Sequence, residues 1–255
     1  MKLRVLGCSG GIGGRRARTT AFFVDDDVLV DCGTGVGDLE FDELLRIDHV
    51  FLTHAHMDHI ASIPLMVDSL GEVRNMPLTV HATPETIRIL RSHVFNWLVW
   101  PDFTAIPDRK HPFLRFQPLS VGEPVRLGDR TFTATPAHHT VPAVGYCLDS
   151  GRGKLLYTGD TAYCPDLIAN INAMDHLEHL IVETAFPNEQ HGLALASRHL
   201  CPSMLFAMLD EIRVSPQVHI SHLKPGLDRR IMTQIGSYHG RLQPRALDQG
   251  ETIEF

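Results

Sequence analysis

The stretch Thr53-His-Ala-His-Met-Asp-His-Ile60 places three imidazoles and one carboxylate within six positions, a density that folding alone rarely requires. It follows the apolar run His49-Val-Phe-Leu52, which is typical of a buried strand. The residues after it, 60–70, have mixed helical spacing. The cluster therefore lies at the carboxyl end of a strand, where open α/β sheets commonly bind ligands. Imidazole and carboxylate together suit zinc, manganese or iron, so the stretch predicts a metal site.

The composition is that of an ordinary globular protein. The chain has 255 residues, of which 44% are hydrophobic and 21% charged, and this predicts one large domain over residues 1–255. The net charge of −7 argues against a broad surface for nucleic acid, because no excess of cations would displace its counterions. A small phosphorylated ligand stays compatible with this charge, since bound metals would neutralise it locally.

Cysteine usage and apolar runs bear on the compartment. Five cysteines, odd in number and without a Cys-x-x-Cys spacing, fit free thiols in a reducing compartment. No signal peptide is apparent, and no apolar run approaches the ~18 residues of a membrane span. We therefore expect a cytoplasmic protein without a membrane segment.

A glycine-rich turn, Gly7-Cys-Ser-Gly-Gly-Ile-Gly-Gly14, resembles a phosphate-binding loop in composition. Its context is different, because the basic segment 15–18 and a strand follow it rather than a helix. We interpret it as a flexible or tight loop, and whether it lines the active site stays open.

The aromatic segment Phe95-Asn-Trp-Leu-Val-Trp-Pro-Asp-Phe103 has two interpretations. Buried core is one. The other is a wall for a flat ligand, since aromatic rings stack well on bases. The second interpretation makes candidate substrate contacts of Asn96, Trp97, Trp100 and Phe103.

Three further strand ends repeat the pattern of an apolar run followed by a potential metal ligand. His138 and His139 follow a strand at 131–135, Asp160 follows one at 155–158, and His222 follows one at 218–221. Because parallel strand ends converge on one edge of a sheet, these residues can meet the first cluster. Two metals there would share a hydroxide and clamp the attacking and leaving oxygens of a phosphodiester, with Asp160 able to bridge both ions.

The spacing His54-x-His56-x-Asp58-His59, followed by a distant His, a Gly-Asp-Thr and a final His, resembles the metallo-β-lactamase superfamily. That resemblance implies an α/β fold, an αββα sandwich in a single domain, with a dinuclear centre. The stretch 139–146 and the pair Glu183 and His199 are similar to those of ribonuclease Z and its phosphodiesterase relatives. Three features resemble the class-II cyclic-nucleotide phosphodiesterases more closely still: Asp58-His-Ile-Ala-Ser-Ile-Pro-Leu65, the segment 95–103, and the stretch 183–188 together with 219–225.

The resemblance implies the roles of individual residues. One metal would lie on His54, His56 and His139, the other on Asp58, His59 and His222, with Asp160 between them. His139 is preferred to His138 for its spacing to Pro142, Gly145 and Tyr146. Zinc is the expected metal, with manganese and iron as alternatives.

Glu183 and His199 match a pair that assists proton transfer to the leaving oxygen in ribonuclease Z-like enzymes. A histidine is the usual proton donor near neutral pH, and a carboxylate would favour its charged form. The plain alternative is a strand-end carboxylate and a helix-start histidine. Together with Asp58 these residues complete the predicted catalytic set.

The function that follows is hydrolysis of a 3′,5′-cyclic nucleotide, cyclic AMP or cyclic GMP, to the 5′-monophosphate by metal-bound hydroxide. The alternatives are a ribonuclease Z-like enzyme, another hydrolase on this scaffold, and a sensing protein with structural metals. No arm able to clamp transfer RNA is apparent, so nucleic acid is disfavoured and a small phosphodiester is the expected partner. The resemblance also implies a homodimer.

Overall fold

The computed structural model describes residues 1–14 and 16–255, so Arg15 of the basic segment lies outside the described residues. It contains two seven-stranded sheets. The first sheet contains β1 (Lys2–Gly7), β2 (Ala21–Val24), β3 (Val28–Val30), β4 (His49–Phe51), β5 (Leu78–Ala82), β6 (Leu114–Pro118) and the last strand, β14 (Thr252–Glu254). Its order is β14-β1-β2-β3-β4-β5-β6, antiparallel as far as β3 and parallel from β3 to β6.

The second sheet repeats this plan. It contains β7 (Pro124–Leu127), β8 (Arg130–Pro136), β9 (Val144–Asp149), β10 (Lys154–Tyr157), β11 (Leu177–Glu183), β12 (Gln217–Ser221) and β13 (Pro244–Ala246). Strands β7 to β10 are antiparallel and strands β10 to β13 are parallel. Counted from the antiparallel side, β3 therefore corresponds to β10, β4 to β11 and β5 to β12.

Eight α-helices lie among the described residues. They are α1 (Phe41–Arg46), α2 (Met57–Ile60), α3 (Ile63–Leu70), α4 (Pro84–His93), α5 (Pro165–Asn172), α6 (His191–Ser197), α7 (Pro202–Glu211) and α8 (Asp228–Ile235). Four of them have proline in the first turn, where its missing N–H leaves no intrahelical hydrogen bond unmade. Thr83 caps α4, because its Oγ1 accepts a hydrogen bond from the backbone N–H of Thr86 at 3.3 Å.

Apolar residues form one layer between the sheets and one on each outer face. Along β2, Phe22 and Val24 enter the layer between the sheets, whereas Ala21 and Phe23 enter the layer under α3 and α4. Along β11, Ile181 points inward and its neighbours Leu180 and Val182 point toward α5 and α7. Strands that are buried on both faces carry continuous apolar runs rather than alternation. The predicted αββα sandwich in a single domain is confirmed.

The predicted strand ends agree with the structure to within about three residues, with one larger error in a helix. The sequence after Pro84 predicts a helix as far as about Trp97, but helix α4 ends at His93. Residues 94–100 instead form a tight turn, in which the side-chain oxygen of Asn96 accepts hydrogen bonds from the backbone N–H groups of Leu98 and Val99. Trp97 has a left-handed backbone with φ 67°, which a helix does not allow.

Within residues 1–14 and 16–255, no single helix has the length and apolarity needed to cross a membrane. One bent pair, Asn188–Ser197 with Pro202–Glu211, meets the length and composition requirement when taken together.

Candidate metal centre

The predicted metal ligands meet at the edge where the parallel strands of both sheets end. Two hydrogen bonds join the sheets there. The Tyr146 hydroxyl donates to the Leu52 carbonyl at 2.9 Å, and the Val144 N–H donates to the Thr53 carbonyl at 3.0 Å. Each buried bond of this kind contributes about 1 kcal/mol net. They hold the first cluster of ligands against the second sheet.

The ligand atoms form groups within 4.8 Å of one another. One group contains His54, His56 and His139, and a second contains Asp58, His59, Asp160 and His222. This is the partition that the family resemblance implies, with Asp160 near both groups, since its Oδ2 lies 3.7 Å from Nε2 of His54 and 3.3 Å from Nε2 of His59. His138 belongs to neither group of the described residues, and its backbone N–H donates to the Thr161 hydroxyl instead.

Three imidazoles are held by Nδ1, which leaves Nε2 facing the centre. His59 donates from Nδ1 to Asp31 at 2.7 Å, and His54 donates from Nδ1 to the hydroxyl of Thr53 at 3.0 Å. That hydroxyl donates in turn to Asp31 at 2.8 Å. His139 donates from Nδ1 to the backbone carbonyl of Arg198 at 3.0 Å. Such outer partners fix the tautomer and orientation of metal-binding histidines.

Asp31 is a functional residue that the sequence analysis missed. It is fully buried, and its carboxylate orients two histidines, one directly and one through Thr53. The sequence did contain a signal, because Asp31 follows the apolar strand β3 just as Asp160 follows β10. Burial raises the pKa of Asp31, while His59 opposes that shift.

The buried donor set fits divalent cations. Among the described residues, Nε2 of His54, Nε2 of His59, Oδ1 of Asp160 and Nδ1 of His222 are buried without a hydrogen-bond partner. Unpartnered buried polar atoms are costly unless another ligand completes them. Burial lowers the pKa of His139 to about 4 and that of His222 to about 3, so both imidazoles are neutral and able to coordinate. Burial alone would raise the pKa of Asp160, but His222 and His59 hold it well below its usual range.

A buried pair of a histidine and a glutamate lies beside this centre. Nδ1 of His199 lies 2.7 Å from Oε1 of the fully buried Glu183, whose Oε2 accepts the backbone N–H of Leu200 at 3.2 Å. Burial alone would lower the pKa of His199, but Glu183 raises it above its usual value. The His199 ring stacks on His222 with centroids 5.1 Å apart, and its ligand atom falls in a third group with His139 and Asp160. The imidazole can therefore present a proton, or a lone pair, to the centre.

Backbone strain is concentrated at this edge. Asp31, Arg198 and His222 have φ of 57°, 53° and 61°, a left-handed conformation that costs a residue with a Cβ about 1 kcal/mol or more. Gly159, immediately before Asp160, has φ 63°, and a Cβ there would lie 2.6 Å from the Val144 carbonyl. A glycine is therefore required where the strand turns into the site.

The glycine-rich turn is a packing element against the last ligand. A Cβ on Gly10 would lie 2.6 Å from the carbonyl of His222 and 2.8 Å from its ring, so only glycine allows this approach. The N–H of His222 donates to the Cys8 carbonyl at 2.7 Å, and Lys224 donates from Nζ to the Gly10 carbonyl at 2.6 Å. The structure therefore favours a tight loop over a flexible one for this glycine-rich turn.

The aromatic segment divides between core and surface. Phe103 is 4% exposed and packs in the core with Phe95, so a stacking role for Phe103 is contradicted by its burial. Both polar atoms of the Asn96 amide are used within the turn, with Nδ2 donating to the Ser92 carbonyl at 3.0 Å, so the predicted substrate contact of Asn96 is not supported. Trp100 is partly buried against the core. Trp97, 62% exposed, is the predicted contact whose ring is open to solvent.

The sequence profile described as "Beta-lactamase superfamily domain" matches residues 27–242. The chain therefore belongs to the β-lactamase superfamily, and its fold is that of the metallo-hydrolases within it, which implies divalent metal ions. In structure it is similar to unliganded yeast PDE1, with a TM-score of 0.78, 20% identity and coverage of 98% of both chains. It is also similar to the metallo-β-lactamase fold protein YhfI from Bacillus subtilis, with a TM-score of 0.77, 20% identity and coverage of 99% of this chain and 98% of that one. At this identity the structural likeness establishes the fold alone.

Sequence relatives carry two kinds of name. The chain is 25% identical over 209 residues to a probable 3′,5′-cyclic-nucleotide phosphodiesterase of Yersinia pestis, covering 72% of this chain and 59% of the relative. It is 27% identical over 209 residues to a 3′,5′-cyclic-nucleotide phosphodiesterase of Aliivibrio fischeri, covering 71% and 61%. It is 40% identical over 94 residues to a ribonuclease Z of Halorubrum lacusprofundi, covering 34% and 30%. The chain thus spans less than two thirds of the length of these curated relatives.

Proposed function

We propose that the chain is a divalent-metal phosphodiesterase that hydrolyses 3′,5′-cyclic nucleotides to nucleoside 5′-monophosphates. The observation that carries the proposal is the meeting of two ligand groups around Asp160, with the His199–Glu183 pair at their side. This arrangement suits a reaction in which an anionic centre is attacked and an alkoxide leaves. Phosphodiester hydrolysis is such a reaction.

His54, His56 and His139 would hold one ion, and Asp58, His59 and His222 the other, with Asp160 between them. Zinc is the proposed species, since imidazole and carboxylate ligands suit it. When bound, two such ions supply Lewis acidity toward a phosphoryl oxygen and lower the pKa of coordinated water toward neutrality.

Two side chains of the protein, His199 and Glu183, serve the transfer of a proton to the leaving oxygen. Glu183 accepts from Nδ1 of His199 and favours the charged imidazole, so Nε2 can hold a proton near neutral pH. The departing 3′ oxygen of the sugar needs that proton, since an alkoxide is a poor leaving group. Glu183 stays in place because Thr161 and Leu200 donate their backbone N–H groups to it, at 3.1 and 3.2 Å.

The size and charge of the substrate follow from the whole chain. The net charge of −7 disfavours a long polyanion, and two relatives that align with 72% and 71% of this chain are named for cyclic nucleotides. Trp97 is the proposed stacking surface for the base, since its ring is exposed. The proposed setting is a cytoplasmic enzyme, and the proposed assembly is a homodimer.

Processing of RNA 3′ ends is the second candidate. It is favoured by the 40% identity to a ribonuclease Z over 94 residues, which exceeds the 25% and 27% identity over 209 residues to the phosphodiesterases of Yersinia pestis and Aliivibrio fischeri. The same ligand groups would serve either substrate, so the choice between them depends on groups outside the metal centre.

The test is incubation of zinc-loaded protein with cyclic AMP, cyclic GMP and a precursor tRNA in separate reactions, with products resolved by chromatography. We expect the 5′-monophosphate from a cyclic nucleotide, abolished by Asp58→Ala and retained by Asp68→Ala, an exposed carboxylate on α3. Faster cleavage of the precursor tRNA would favour the second candidate. No turnover of any substrate, with two zinc ions bound, would refute both.

A further inference from the structure

The turn between α6 and α7 contacts both the ligand His139 and the proton donor His199. Helix α6 ends at Ser197, and Arg198 follows in the left-handed conformation with φ 53° and ψ 49°. This reversal directs the next residue, His199, inward, where its backbone N–H donates to the Ala194 carbonyl at 2.9 Å. A residue with a Cβ is strained in that conformation, so something other than local preference accounts for arginine at this position.

Arg198 makes two hydrogen bonds with His139, one in each direction. Its carbonyl accepts from Nδ1 of His139 at 3.0 Å, and its guanidinium Nη1 donates to the carbonyl of His139 at 2.5 Å. The first bond fixes the tautomer in which Nε2 is free to coordinate. The second holds the backbone from which that imidazole projects.

The guanidinium is not engaged elsewhere. Among the described residues, no carboxylate lies within ion-pair distance of Arg198, although the chain contains many exposed ion pairs. Its charge therefore serves the bond to the His139 carbonyl, and a hydrogen bond from a charged donor is about twice as strong as a neutral one.

The neighbouring contacts couple this turn to the acid. Leu200 and His199 both bind Glu183, and the rings of His199 and His139 lie 4.9 Å apart. Movement of the turn would therefore change the orientation of His139 and the distance from His139 to His199 together.

We propose that Arg198 is a positioning residue, which sets His139 as a metal ligand and fixes its spacing from the proton-donating His199. Its effect on turnover rests on the proposed function, whereas its effect on metal binding does not. Arg198 lies outside the predicted ligand and acid sets.

Arg198→Gly is the informative variant, because glycine adopts φ 53° without strain, keeps the backbone carbonyl and removes the guanidinium. We expect one of the two zinc ions to bind about 10- to 100-fold more weakly in a chelator competition, as is usual when an outer partner of a ligand is lost. We expect the other ion to bind as before and the midpoint of urea unfolding, measured without metal, to stay or to rise. A merely structural arginine would instead lower that midpoint.

Two further variants complete the test. Arg198→Lys, which retains a charged donor, is expected to recover part of the lost zinc affinity. Arg152→Gly, in the exposed turn between β9 and β10 at the opposite sheet edge, is the matched control and should leave both affinities unchanged. Zinc affinities of Arg198→Gly within about two-fold of the wild type at both sites would overturn the proposal, since loss of a positioning partner exceeds that.

The zinc measurement needs no substrate, so it separates this inference from the proposed function. If Arg198→Gly weakens zinc and the wild type turns over no cyclic nucleotide, the function fails and the positioning role stands. If the wild type is active, we expect Arg198→Gly to lower kcat more than it changes KM, because the acid and the ligand lose their alignment.

Discussion

The two sheets share one plan, yet their corresponding strand ends carry different chemistry. A carboxylate follows the first parallel strand in each, Asp31 after β3 and Asp160 after β10. Asp31 is saturated by Thr53 and His59, whereas Asp160 lies among imidazole nitrogens with an oxygen left without a partner. One carboxylate orients histidines, and the other is placed to bind a cation. We propose that these two similarly placed carboxylates of a repeated frame have different roles, one in positioning and one in binding.

The comparison extends to the next two strands. After β4 comes the histidine cluster, whereas β11 ends in Glu183, which binds His199. After β5 the chain enters helix α4 at the Thr83 cap, whereas after β12 it turns back through His222. Each sheet also contains a histidine pair with ring nitrogens 3.0 Å apart, His49 with His81 and His179 with His219. The interiors of these strands are alike, whereas the residues at their ends differ.

Replacement of each carboxylate by an amide tests the difference in role between Asp31 and Asp160. We expect Asp160→Asn to lower turnover on the order of 10³-fold or more, because a buried charge between the ions is lost. Asp31→Asn should lower turnover about 10- to 100-fold, since it only disturbs the orientation of the ligands. Steady-state kinetics and zinc content measured for both variants check this order. Equal losses would mean that the two carboxylates do not differ in role.

The role of His199, which Glu183 binds at the end of β11, is tested with two substrates that differ in their leaving groups. We expect His199→Gln to lower cyclic AMP turnover by about 10²- to 10⁴-fold, the usual contribution of a general acid. Turnover of bis(p-nitrophenyl) phosphate, whose leaving group needs no proton, should fall far less in the same variant. Zinc content is the control, because His199 also falls in a group of ligand atoms with His139 and Asp160. Loss of zinc from the variant would make His199 a ligand rather than the acid.

The histidine pairs should make stability sensitive to acid in both sheets. Burial lowers the pKa of His81 and of His219 from 6.5 to about 4. A histidine whose folded pKa is depressed is held neutral, so its contribution is complete above pH 6.5 and is lost as the pH falls toward 4. Each histidine corresponds to a loss of at most about 3 kcal/mol across that window.

Urea unfolding of the wild type and of His81→Gln at pH 7.5 and pH 5 provides the measurement. We expect the difference in unfolding free energy between the two pH values to be smaller in His81→Gln than in the wild type. We expect the same reduction in His219→Gln. Subtraction of variant from wild type removes the effect of metal loss at low pH. An unchanged pH dependence in both variants would show that the pairs do not contribute to it.

The smallest expected effect on activity concerns the long connection between α4 and β6, which has a shorter counterpart in the second half of the chain. Residues 94–113 connect α4 to β6, whereas the shorter segment 236–243 connects α8 to β13. Trp97→Ala should change stability by less than about 0.5 kcal/mol, because the ring is exposed, and should raise KM for cyclic AMP about five-fold or more. Leu98→Ala, at the neighbouring exposed position, is the control. A KM that stays constant in Trp97→Ala removes this residue from the substrate site.

The sequence predicted the strand ends and the candidate ligands for a physical reason, whereas the αββα arrangement and the division of the ligands between two metals followed from the family resemblance. Strands buried on both faces leave long apolar runs, and a histidine or aspartate directly after such a run has few other purposes than a site at the sheet edge. Asp160 and His222 could therefore be identified although they lie far from the first cluster in sequence.

What the sequence did not reveal depends on contacts rather than on patterns. Arg198 is exposed and follows a short helix, so nothing in its sequence context indicates the two bonds to His139. Asp31 had the right pattern but, unlike Asp160, lay outside the motifs that carry the family resemblance. The end of α4 at His93 was missed because Asn96 and Trp97 reverse the chain through side-chain hydrogen bonds and a left-handed residue, which helical spacing does not reveal.

The left-handed residues at the site have a consequence for how the protein opens. Because Asp31, Arg198 and His222 hold strain at one edge while the apolar layers lie elsewhere, local unfolding should begin at that edge when no cation completes it. Amide hydrogen exchange would then be fastest around residues 198–200 and 222–225 in metal-free protein and would slow on zinc addition. Metal loading would act as a local stabiliser, and a protease would cut the empty protein there first.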